Sequence, residues 1–95
     1  MHAVVRTYTG PGAAQLFDIL DKRKADLEAA LQQVRGLMSY TLIRTKSGGV
    51  AVTVCRDEAG ALESVRVAKE WIEKNAAGVS TQSPELSEGP VIIHI

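Results

Sequence analysis

The chain is poor in cysteine, proline, aromatic residues and net charge. One cysteine, Cys55, is present among 95 residues. A single thiol excludes an internal disulfide and a cysteine-rich zinc site, so this small fold must be held by packing. Eleven basic and eleven acidic side chains cancel, and no net field is left to hold nucleic-acid phosphates or an anionic membrane surface. No apolar run is long enough to span a bilayer, and the N-terminal "MHAVVRTYTGPG" lacks the basic region, long apolar stretch and small-residue cleavage site of a secretory signal. These absences predict a cytoplasmic protein with neither a nucleic-acid nor a membrane partner. With 45% hydrophobic residues, the chain suffices for one core and one domain, residues 1–95.

What is present is a clear succession of elements. "HAVVRTY" (2–8) is rich in β-branched and aromatic residues and is stopped by "TGPG", which predicts a strand. From Ala13 to Val34 apolar residues recur at Ala13, Leu16, Phe17, Leu20, Leu27, Ala30, Leu31 and Val34, the spacing of an amphipathic helix ended by Gly36. Arg23 interrupts the stripe, so its side chain must snorkel or the helix must bend there. Two strands follow around "KSGG" (46–49). Asp57 or Glu58 then opens a second helix whose stripe is Ala61, Leu62, Val65, Ala68, Ile72 and Ala76, which leaves Trp71 and Val67 off the core face. A polar segment, 79–90, leads to a predicted last strand "VIIHI" (91–95).

With "KSGG" as a symmetric four-residue loop, Thr45 faces Val50 and Tyr40 lies opposite Cys55. One face of the hairpin then carries Ser39, Thr41, Ile43, Val50, Val52 and Val54. The other carries Met38, Tyr40, Leu42, Ala51, Thr53 and Cys55. Neither has the composition of a solvated surface, so both are expected to be covered.

Strand, helix, strand, strand, helix, strand is the order of an α+β, ferredoxin-like βαββαβ fold: a four-stranded antiparallel sheet with its helices on one face. The other face is apolar or uncharged, and a homodimer stacking sheet on sheet would cover it. An RNA-binding module of this topology would show exposed aromatics with basic neighbours, and only 4% of residues here are aromatic. An acylphosphatase-like enzyme would need a basic residue beside "TGPGAAQ", and there is none.

The run "GLMSYTLIRTKSGGVAVTVCRDEAGALESVRVAKEWI" resembles the antibiotic biosynthesis monooxygenase family of dimeric α/β barrels, whose members show a Gly-aromatic-x-Ser-Tyr type strand, a hairpin, and a strand leading into an acidic helix start. With the first and last strands the likeness covers nearly the whole chain. The resemblance implies a cavity between sheet and helices, taking a hydrophobic or aromatic small molecule. It also implies cofactor-independent oxygenation of phenols or quinols, with no cofactor and no metal; the alternative is a non-catalytic ligand-binding or structural homodimer. The family's catalytic asparagine and tryptophan positions are occupied by Ala51 and Cys55. Alanine cannot donate a hydrogen bond and a thiol donates weakly, which leaves Tyr40 as the one polar candidate. Trp71 could match the tryptophan of haem-degrading relatives, but no histidine follows it on that helix to ligate iron, so haem degradation is not expected. The expected pocket residues are Met38, Tyr40, Ala51, Thr53, Cys55 and Trp71. His2 and His94, at the start and end of neighbouring strands, are expected to come near one another without a third ligand for a metal.

Overall fold

The computed structural model describes residues 1–95. Its elements run β1 (His2–Tyr8), α1 (Ala13–Lys22), α2 (Lys24–Leu31), β2 (Leu37–Thr45), β3 (Gly48–Cys55), α3 (Glu58–Asn75) and β4 (Glu85–Pro90). The four strands form one antiparallel sheet in the order β2-β3-β1-β4. This is the α+β, ferredoxin-like arrangement expected from the sequence.

Alternation along β1 and β3 sorts the side chains by face. His2, Val4, Arg6 and Tyr8, with Ala51, Thr53 and Cys55, are buried on the helix side. The intervening Ala3, Val5, Thr7, Val50, Val52 and Val54 are half-buried on the side that no helix covers. The main core lies between the sheet and the helices, with Leu16, Phe17, Leu20, Leu27, Leu31 and Trp71 among its large members.

Four local expectations need correction. The predicted long helix is two helices, broken at Arg23, whose φ of −114° and ψ of 27° are not helical. Of the two outcomes that the gap in the stripe allows, snorkelling or a bend, the chain takes the bend, and the broken turn carries the Arg23 guanidinium to 5.5 Å from the centre of the Trp71 ring, where it also pairs with Asp26.

The hairpin loop has two residues, not four, because Thr45 pairs with Gly48. The pairing is therefore offset by two from the expected register, and an even offset leaves every side chain on its expected face. Tyr40 lies opposite Thr53, not Cys55. An irregularity between Leu37 and Ser39 lets Cys55 pair with Leu37 and pushes Met38 out of step. The glycines are not used for the turn. Gly49 is a strand residue against which the Phe17 ring lies so closely that a Cβ would collide with it.

Helix α3 buries a different stripe from the one hydrophobicity suggests: Gly60, Ala61, Ser64, Ala68 and Trp71 face the core, whereas Leu62 is exposed. Small residues win because the helix sits close to the sheet. A Cβ on Gly60 would stand 2.9 Å from the Arg35 carbonyl oxygen and 3.3 Å from the Cys55 Cβ. Ser64 can be buried because its hydroxyl donates to the Ala61 carbonyl. That rotation brings Trp71 into the core and packs Val67 against it. As expected, an acidic cap starts the helix: the Asp57 carboxylate accepts the Gly60 N–H at 2.8 Å.

The last strand is Glu85–Pro90 and not "VIIHI". Pairing with β1 runs from Thr7 opposite Glu85 to His2 opposite Pro90, and the Val91 N–H bonds the Met1 carbonyl, after which no first strand remains to pair with. An edge strand tolerates the polar "ELSEGP" because one side needs no partner. The apolar pentapeptide runs past the sheet, with Ile92, Ile93 and Ile95 at 94%, 76% and 113% of full exposure.

A candidate ligand groove and a buried arginine

Between helices α1 and α2 and the edge strand β2 lies a groove of about 840 Å³. Its floor is apolar, made largely by Phe17, Leu20, Leu27, Leu31, Leu37 and Leu42, and its rim carries Asp21, Lys24, Glu28, Gln32 and Arg44. The Arg44 guanidinium crosses from β2 to Asp18 on α1 at 3.0 Å, fastening the edge strand to the helix. Of the residues expected to form a pocket, Met38 and Tyr40 line this groove. Ala51, Thr53 and Cys55 share the helix-side sheet face with Tyr40 but are fully buried, and Trp71 packs in the core. None of these four is part of the groove wall.

Sequence reasoning missed Arg6. It sits in the middle of a central strand, 3% exposed, and no carboxylate lies within ion-pair distance of it. Its fork is divided between two phenols: Nη1 donates to the Tyr8 hydroxyl and Nη2 to the Tyr40 hydroxyl, each at 2.9 Å. The signal was available, since alternation from His2 places Arg6 on the face of Val4 and Tyr8. A buried cation without a counter-ion is costly to keep, which marks it for attention.

The electrostatics of the trio follow from burial. Desolvation raises the pKa of both Tyr8 and Tyr40 above the ordinary 10.0, although the neighbouring guanidinium pulls each partly back. Both phenols are therefore protonated at neutral pH. Because the Tyr40 oxygen accepts from Arg6, its own proton is free to be donated, and the cation polarises it. Tyr40 thus couples the groove wall to a buried positive charge.

Cys55 has the opposite character. It lies in a small apolar cluster with Val4 and Ala61, and burial pushes its thiol pKa up, away from the reactive thiolate. His2 bonds to Glu88 at 3.1 Å, and His94 lies against the Met1 sulfur at 3.3 Å.

A monooxygenase of Streptomyces coelicolor, ActVA-Orf6, solved with nanaomycin D, superposes with a TM-score of 0.67 at 14% identity, over 99% of this chain and 89% of that one. The two chains share one fold. NE2512 of Nitrosomonas europaea, a protein of unknown function, matches this fold with a TM-score of 0.71 at 18% identity, covering 99% of this chain and 90% of that one. A dimeric ferredoxin-like protein from an uncultured marine organism matches at 0.66 and 14% identity, over 99% and 94% of the two chains. No family model and no curated protein matches the sequence. Within this fold, the positions where the resemblance implies donor side chains hold Ala51 and Cys55, both buried and neither in the groove. The polar group that does reach the groove is Tyr40.

Proposed function

We propose that this protein binds a hydrophobic aromatic molecule carrying an ionisable hydroxyl in the groove beside β2, and that it oxygenates such a phenol or quinol with molecular oxygen and no cofactor. The observation that carries the reading is the Arg6–Tyr40 couple, a polarised donor in an otherwise apolar wall. A phenol that ionises by releasing its proton to solvent leaves an electron-rich anion that reduces oxygen, and the anion is what a buried positive charge stabilises. The overall balance is a phenol plus O₂ giving a quinone plus water, with one oxygen atom in each product. A fold shared with a named monooxygenase supports this reading.

The test is oxygen uptake with a panel of naphthols, anthrones and quinols. Uptake above the protein-free rate that falls by about 100-fold in Tyr40→Phe is expected for loss of one preorganised donor. Uptake no faster than the blank would reject oxygenation. Binding without turnover would leave the second reading, a ligand-holding homodimer, which the absence of donors at Ala51 and Cys55 favours.

The assembly proposed in either case is a homodimer, in the cytoplasmic setting expected from the sequence. The uncovered sheet face offers Val5, Val50, Val52, Val54 and Ile43 without a charged side chain on β1 or β3, and the tail 91–95 leaves Ile92, Ile93 and Ile95 exposed. A second copy would cover both. Removing residues 91–95 is expected to shift sedimentation from dimer toward monomer while leaving the far-ultraviolet circular dichroism unchanged. A truncated chain that stays dimeric at the same concentration would separate the tail from the interface.

A further inference from the structure

Across the sheet from the groove, on the β4 side, three metal-competent groups converge from distant parts of the chain. The His2 imidazole comes from β1, the Glu58 carboxylate from the first turn of α3 and the Glu88 carboxylate from β4, and one ligand atom of each lies within 4.8 Å of the others. We propose that His2, Glu58 and Glu88 bind a divalent first-row transition ion, with Zn²⁺ the ion the donor set fits well.

The first argument is geometric. Three donors about 2.1 Å from a common ion stand roughly 3.0–3.5 Å apart. The His2 Nε2 and the Glu88 Oε1 already stand 3.1 Å apart. Glu58 is exposed and pairs with no other side chain, so a rotamer change can close the remaining distance. The imidazole is preorganised, because His2 is 9% exposed and is held on a central strand between the pairings to Cys55 and Pro90.

The second argument is charge. Two glutamates are brought together by the fold, and no lysine or arginine nitrogen lies within 4.0 Å of either carboxylate. His2 is the one basic group of the cluster, and one imidazolium cannot neutralise two carboxylates. A divalent cation does so while keeping the imidazole neutral, the form in which its nitrogen is a ligand.

The donor chemistry narrows the ion. One nitrogen and two carboxylate oxygens, with no sulfur, suit Zn²⁺, Mn²⁺ or Co²⁺ better than Cu⁺, and Zn²⁺ accepts such a set without a preferred geometry. Three protein ligands leave at least one position for water. His94, which lies against Met1, is not part of the cluster.

The experiment is a competition titration of tag-free, full-length protein with Zn²⁺ against a chromophoric chelator, paired with the visible spectrum of the Co²⁺ form. One ion per chain is expected. Glu58→Gln, Glu88→Gln and His2→Gln should each weaken binding at least tenfold, whereas His94→Gln should not change it. Because Glu58 is exposed, its variant folds irrespective of the buried histidine and keeps the test decisive. No saturable Zn²⁺ uptake would reduce the cluster to a His2–Glu88 ion pair and overturn the proposal. Uptake that survives Glu58→Gln and Glu88→Gln, or that is lost in His94→Gln, would place the ion at the chain terminus and overturn it equally.

Discussion

Gly49→Ala should strongly destabilise the protein. The Cβ would fall inside the contact distance of three atoms of the Phe17 ring, and that ring is itself fixed. Phe17 is 3% exposed, packed edge-on against Tyr8 with centroids 5.7 Å apart and planes at 64°. Gly49 is paired on both sides, to Tyr8 on β1 and Arg44 on β2, so the backbone cannot yield alone, and the ring can move only by giving up its contact with Tyr8 and shifting toward the groove. Overpacking of this kind costs about 3 kcal/mol. For a domain of this size that is roughly a 15 °C fall in Tm. Gly89→Ala is the control, since nothing lies within 4 Å of its added Cβ. Its Tm should stay near the wild-type value. Trimming the ring in a Phe17→Leu, Gly49→Ala double variant should recover part of the loss, a coupling that thermal melts of the four proteins would measure directly. Equal melts for Gly49→Ala and Gly89→Ala would mean that Phe17 does not lie where it is described.

Arg6→Met should separate stability from function. Methionine keeps an unbranched apolar stem, shorter than that of arginine, and removes a cation that has no counter-ion. The desolvation penalty disappears. Against that gain, the Tyr8 and Tyr40 hydroxyls lose their donor, at a cost of about 1–3 kcal/mol if they stay unpaired. The two effects oppose each other, and a Tm change of only a few degrees is expected. Function should respond differently. With the charge gone, Tyr40 loses its polarisation and its pKa rises further, since Arg6 is what holds it back. Turnover, or affinity for a phenolate probe such as 4-nitrophenolate, should fall by about 100-fold. Arg6→Lys should lie between the two, because an ammonium keeps the charge but cannot divide two planar donors between two hydroxyls. Binding of the phenolate unchanged in Arg6→Met would show that the guanidinium is a structural residue and that the groove does not sense it.

These two residues also show how far local pattern reaches. Alternation in "HAVVRTY" and in "YTLIRTKSGGVAVTVC" was enough to assign faces, and the faces survived a hairpin register wrong by two residues because the period of a strand is two. The gap at Arg23 announced the break between α1 and α2. Asp57 announced the start of α3. Such features depend on neighbours within one turn or one strand pair, and the sequence contains all of those neighbours.

Distance along the chain decided the rest. Small residues turned α3 so that Trp71 entered the core, a choice set by how closely the helix approaches Cys55 and not by the hydrophobicity of Leu62. The end of β1 fixed β4 at Glu85–Pro90 and sent the more strand-like "VIIHI" beyond the sheet. The Arg6–Tyr40 bond joins residues 34 positions apart, and the His2–Glu88 bond joins residues 86 apart. Composition and periodicity determined the fold class of this protein, because burial of a stripe or a face is a local property. The groove, the polarised tyrosine and the His2–Glu58–Glu88 cluster were decided only by tertiary structure, because each requires side chains from separate elements to meet, and no spacing within the sequence encodes that meeting.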